Sequence, residues 1–154
     1  LWGVWTMLDK ITQSFPRHTA KGVEQMSNGD VMQINPDGEP SMFVFKTVAD
    51  PFVGKMSFFK VMNGEVKKDM VLRNTTTGAT EKLGKIFMMR GKKQIDVDEL
   101  ACGDIGVVAK LDKTKTGDTL CAENKNMILN GIDFPEPVLS MAVSPVATIS
   151  YKPP

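Results

Sequence analysis

The sequence predicts a mainly β chain organised around a small antiparallel barrel or sandwich. Two observations carry that prediction. From Met42 onward, short runs of strand-forming residues recur at close spacing with no helical period between them. Glycine-bearing turns punctuate those runs at Asn63-Gly64, Thr77-Gly78, Arg90-Gly91, Gly103-Asp104 and Thr116-Gly117-Asp118. The chain has 154 residues and 42% hydrophobic content, enough for one ordinary core plus some extra length.

The elements follow in chain order. Residues 1–18 read as a helix: Thr6 with Asp9 resembles a capping pair, Leu8, Ile11 and Phe15 form one apolar stripe, and Pro16 stops the run. A helix of about three turns cannot stand alone, so the stripe and Trp2 and Trp5 call for a large partner. Residues 19–41 are rich in turn formers and read as a linker, with Val31 to Ile34 as one short strand. Six candidate strands then cover 42–49, 56–62, 70–73, 81–89, 105–111 and 119–122. Pro135 and Pro137 end that unit at about 137, and 138–143 opens one further strand within a 138–154 remainder. A lone helix at one end and a lone strand at the other lead to the expectation that the chain is an excised piece of a longer one.

Composition excludes several function classes. One histidine and two widely spaced cysteines leave little for a zinc site, and Cys102 and Cys121 read as buried, reduced thiols. No apolar run approaches the roughly 20 residues that cross a bilayer, and residues 1–11 lack signal-peptide features, so a cytoplasmic chain without a membrane role is expected. Charge is uneven although the net value is +1. Residues 42–93 hold eleven bases against four acids, and residues 94–137 hold four bases against nine acids. Such asymmetry marks either a polyanion-facing side or two halves that neutralise each other on folding. Phe43, Phe45, Phe58, Phe59 and Phe87 read as core residues rather than base-stacking platforms.

Several runs together carry a family resemblance. Val44-Phe45-Lys46-Thr47-Val48-Ala49-Asp50-Pro51-Phe52-Val53-Gly54-Lys55, then Phe58-Phe59-Lys60-Val61 and Asn63-Gly64, resemble the opening of the second domain of translation elongation factor G. The similarity continues through Glu99-Leu100-Ala101-Cys102-Gly103-Asp104-Ile105-Gly106, Thr116 to Cys121 and Phe134 to Val138. Gly3-Val4, Leu8 to Ile11 and Pro16 are similar to the last helix of that family's GTPase domain. The loop from Met88 to Gln94 resembles elongation-factor-G-like paralogues more than the housekeeping factor.

The resemblance implies a six-stranded translation-factor β-barrel at 42–137, preceded by a helix remnant and followed by a strand stub. It implies a non-catalytic module that docks on small-subunit ribosomal RNA and couples a GTPase domain to distal domains during elongation. GTP and magnesium would belong to a GTPase domain outside this sequence, which has no GxxxxGK[ST] loop. Asn63-Gly64 and the Gly103–Gly106 run are turns that lead into strands rather than helices. A ribosome-protection or recycling relative, and a protein-binding barrel without RNA contact, are the alternative readings. A flavin-reductase barrel is the rival from another class; it would need phosphate-binding Arg and Ser/Thr residues on one strand and a following nucleotide domain.

The same resemblance supplies site expectations. Asp50-Pro51 forces a turn, Gly54 permits close backbone approach, and Lys55 supplies a cation at the loop tip. Gly54 and Lys55 are thus candidate rRNA contacts; alternatively, Gly54 is only a strand-entry glycine and Lys55 a solubilising charge. Lys110 falls where the family brings a second loop to the same RNA face. Arg90, Lys92 and Lys93 lie on a glycine-hinged loop that meets either RNA or a neighbouring GTPase or third domain.

Overall fold

The computed structural model describes residues 2–142. Helix α1 spans Trp2–Ser14, and a 3-10 turn follows at His18–Lys21. Twelve strands then run as β1 (Val23–Gln25), β2 (Val31–Gln33), β3 (Ser41–Asp50), β4 (Gly54–Asn63), β5 (Glu65–Lys67), β6 (Val71–Asn74), β7 (Thr80–Lys82), β8 (Ile86–Arg90), β9 (Lys93–Val97), β10 (Glu99–Ala101), β11 (Ile105–Ala109) and β12 (Thr119–Cys121).

Every strand pairing is antiparallel. The main sheet has eight strands in the order β7-β6-β12-β3-β4-β11-β8-β9, with β10-β5 and β1-β2 as separate pairs. One core cluster collects Met42, Val44, Phe59, Val61, Val66, Leu72, Leu83, Ile86, Leu100, Val108, Leu111 and Leu120. Ten of those side chains come from β3, β4, β5, β6, β8, β10, β11 and β12, and Leu83 and Leu111 from the segments that follow β7 and β11, so the sheet curls around a shared interior as a barrel does. Phe59 fills its middle with no exposed surface. Gly106, on neighbouring β11, makes room for it: a Cβ there would lie 2.9 Å from the Phe59 ring and 2.2 Å from Leu100.

The expected elements change in specific ways. Helix α1 starts at Trp2, so Thr6 lies inside it and returns its hydroxyl to the Trp2 carbonyl instead of capping. Trp2, Trp5, Leu8 and Ile11 are exposed. Segment 19–41 is more than a linker with one strand. It holds the β1-β2 hairpin, whose Met32 packs with Met62 and Leu129 in a second small cluster. His18 ties the preceding turn to the barrel through a 3.1 Å bond from its Nε2 to the Met62 carbonyl.

The 81–89 strand is two strands, because the chain first pairs with β6 through β7 and then turns at Leu83–Lys85 to join β11 through β8. Strands β5, β9 and β10 add to the six expected. Asn63-Gly64 is a corner rather than a hairpin: β4 continues into β5, which pairs with β10. Asn63 is buried there, accepting the Asn35 N–H at 2.6 Å and donating to the Glu39 carbonyl at 2.8 Å. No strand forms over 138–142, where Val138 is fully exposed, and Val143 lies outside the described residues. Among the phenylalanines expected in the core, only Phe59 is fully buried; Phe43, Phe45, Phe58 and Phe87 are half-buried. Both cysteines are free thiols, with Cys121 buried and Cys102 half-buried. Burial pushes both above the ordinary thiol range.

Candidate nucleic-acid interface

The β3–β4 hairpin closes through Pro51-Phe52-Val53, with Asp50 opposite Gly54. Asp50 braces the turn, its Oδ1 accepting the N–H of Val53 at 2.8 Å and of Phe52 at 2.9 Å. Those donors hold the Asp50 carboxyl below the ordinary carboxylate range, Val53 more strongly than Phe52. Gly54 sits at φ +85°, in the left-handed region, and no atom lies within 4 Å of where its Cβ would be. The backbone conformation requires the glycine, and the space around it is open.

Lys55 differs from its expected placement. It is the second residue of β4 rather than the tip, it is half-buried, and its ammonium turns inward. Nζ donates to the Leu111 carbonyl at 2.8 Å and also to the Thr114 carbonyl. Two backbone acceptors held in place draw the charge away from solvent.

Lys110 meets the same corner from β11. Its N–H donates to the Lys55 carbonyl at 2.9 Å, while its side chain is exposed. It adopts φ +61°, a left-handed turn that ends β11 and starts the 111–118 loop. A buried polar network holds that loop from beneath. Glu81 Oε1 accepts the Lys113 N–H at 2.6 Å and the Thr114 hydroxyl at 2.9 Å. Asn74 Nδ2 donates to Asp118 Oδ2 at 2.8 Å, and the same oxygen accepts the Lys115 N–H at 2.7 Å. Asn74 and Thr114 are fully buried, and Glu81 and Asp118 nearly so. Anchored in this way, the loop presents Lys110, Lys113 and Lys115 as exposed cations with no carboxylate partner among the described residues.

The structure thus brings Gly54, Lys55 and Lys110 to one corner. It does not join Arg90, Lys92 and Lys93 to it. Ile86 lies opposite Val108 and Phe87 opposite Val107, so β8 runs away from Lys110 toward its own turn at Gly91-Lys92. The three cations are exposed there and make no ion pair among the described residues. Sequence reasoning missed Lys113 and Lys115 as members of the corner, and Asn74, Glu81, Thr114 and Asp118 as its support. Asp118 was visible as part of a Thr-Gly-Asp turn, but its inward direction was not.

The basic run also divides. Lys67 pairs with Glu65 and Glu99, Lys68 with Asp98, Lys82 with Asp69, and Lys85 with Asp96. Glu65 and Glu99 draw the Lys67 ammonium above its ordinary value, and Asp98 does the same for Lys68. Lys46 lies 5.7 Å above the Phe58 ring instead.

The glycine turns at this corner open into strands, and no group of three or more His, Cys, Asp or Glu that could hold a metal ion is found among the described residues. Among the described residues no helix is long and apolar enough to cross a membrane.

The profile of elongation factor G domain 2 matches residues 39–123, which contain the hairpin, the corner and the whole loop. The chain belongs to the elongation factor G family. It is 38% identical over 152 residues to elongation factor G of Anaplasma phagocytophilum (strain HZ), covering 95% of this chain and 22% of that relative. A crystal structure of a Thermus thermophilus protein shares the fold with a TM-score of 0.67 at 23% identity, over 89% of this chain and 19% of that one. Residues 39–123 therefore form the second domain of that family.

Proposed function

We propose that this module docks on small-subunit ribosomal RNA and links a GTPase domain to distal domains during translation elongation. The observation that carries the reading is the unpaired basic loop. Lys110, Lys113 and Lys115 stand exposed on a segment whose backbone is fixed by buried Glu81, Asn74 and Asp118. Cations on a pre-ordered loop suit a phosphate backbone, which they position without reading sequence. Gly54 leaves open space beside the hairpin backbone for that approach, and Lys55 acts as a positioning residue through Leu111 and Thr114. Arg90, Lys92 and Lys93 form a second basic surface, for RNA or for a neighbouring GTPase or third domain. On this reading the chemistry with GTP and magnesium belongs to the GTPase domain, the module itself is not an enzyme, and the compartment is the cytoplasm.

Co-sedimentation with isolated small ribosomal subunits across a salt series tests it. Association should weaken as salt rises, and Lys110→Glu should reduce it most at low salt. Association that ignores both salt and Lys110 would end the proposal.

A further inference from the structure

The turn that closes the β3–β4 hairpin carries a side chain that neither the core nor the basic loop uses. Phe52 is 96% exposed, while the phenylalanines within β3, β4 and β8 are buried or half-buried. Exposure alone carries little, since single apolar side chains are common on protein surfaces. What sets Phe52 apart is how it is held and what stands beside it.

Asp50 Oδ1 fixes the N–H groups of both Phe52 and Val53, and Gly54 completes the turn in a conformation that other residues rarely adopt. The ring therefore stands on an ordered backbone, so little backbone entropy is lost when it is covered. The hairpin is also bonded to the basic loop, through the 2.9 Å contact from the Lys110 N–H to the Lys55 carbonyl. The ring and the exposed lysines consequently share one end of the barrel. The Asp50 carboxylate is engaged with the turn's own N–H groups and does not offset those lysines.

A single ring beside unpaired cations is a poor match for an apolar protein groove, which would leave the lysines desolvated and unpartnered. An unpaired base flanked by phosphates matches both features at once. Resting on the RNA-docking reading above, we propose that Phe52 stacks on an unpaired base of the small-subunit RNA while Lys110 and its loop meet the adjacent phosphates. Stacking needs only a π-face, so it tolerates any base, and it displaces no counterions.

The test measures binding of the chain to isolated small ribosomal subunits across a salt series, with thermal unfolding as the folding control. Phe52→Ala should lower affinity by about 5- to 100-fold, by the same factor at every salt concentration. Phe52→Tyr should bind like wild type, and Phe52→Leu should be as defective as Phe52→Ala. Lys110→Glu should instead lower the salt slope. If Phe52→Leu restores binding, the contact is apolar rather than stacked, and a protein surface replaces the base. If Phe52→Ala binds like wild type while Lys110→Glu is defective, the stacking proposal falls and the docking reading stands. If neither variant changes binding, both fall.

Discussion

On the flank built from β5, β6, β7, β9 and β10, Lys67, Lys68, Lys82 and Lys85 each face a carboxylate. At the corner where the β3–β4 hairpin meets the end of β11, Lys110, Lys113 and Lys115 face none among the described residues, and buried side chains hold their loop in place. The flank neutralises itself; the three cations of the corner do not. The difference shows that a basic run in sequence is not a basic surface. Most of the corner's cations come from the acidic half of the chain, and the fold cancels much of the basic half. Within the corner the same lesson repeats at closer range. Lys55 and Lys110 are bonded through their backbones, yet one ammonium turns inward to carbonyls and the other stands in solvent.

The largest expected effect would remove both regions together. Phe59→Ala deletes the central ring of the shared core and should cost about 3–5 kcal/mol in chemical denaturation. Lys60→Ala on the same strand should cost no more than about 0.5 kcal/mol.

A smaller effect separates support from contact. Lys55→Met removes the donor to Leu111 and Thr114 and should cost about 1–2 kcal/mol, discounted because the site is only half-buried. Lys110→Met should leave stability within about 0.5 kcal/mol. Equal losses in the two variants would erase the distinction between them.

Asp50 gives a smaller effect, seen in its pH dependence. Its carboxyl is held below the ordinary value of 3.8, so the stability it contributes is present above that pH and lost as pH falls through the lower folded value. Asp50→Asn keeps an oxygen acceptor for the turn, and should flatten that acid-side slope in thermal unfolding measured from about pH 5 downward. The smallest effect belongs to the flank: Lys68→Ala breaks an exposed pair and should change stability by no more than about 0.5 kcal/mol.

The fold class was legible because the signals that specify it are local. Alternation along β3 and β4, and glycines at turns, mark strands whatever they pair with. Where tertiary bonds decide, the sequence misleads. Asn63-Gly64 carries a hairpin signature, but the Asn63 side chain is used to bind Asn35 and Glu39, and the chain turns a corner. Three-residue strands such as β5 and β10 are too short to repeat the two-residue alternation, and β9 is half-exposed on both faces, so none announces itself. At the site, the family pattern names Gly54 and Lys110, and the fold sets them at one corner. The inward turn of Lys55 was not legible, because its acceptors lie 56 and 59 residues along the chain. Glu81, Asn74 and Asp118 look in sequence like any solvated polar residues; only the fold buries them.

The most direct test of the open corner compares two charge-matched double variants for binding to small ribosomal subunits across a salt series. Lys110→Ala with Lys113→Ala should weaken binding and lower the salt slope by about 0.7 to 0.9 for each phosphate that is no longer neutralised. Lys68→Ala with Lys85→Ala removes the same charge from the neutralised flank and should leave binding and slope near wild type. Equal losses in the two would mean that net charge alone draws the module to RNA, and that the open corner is no docking site.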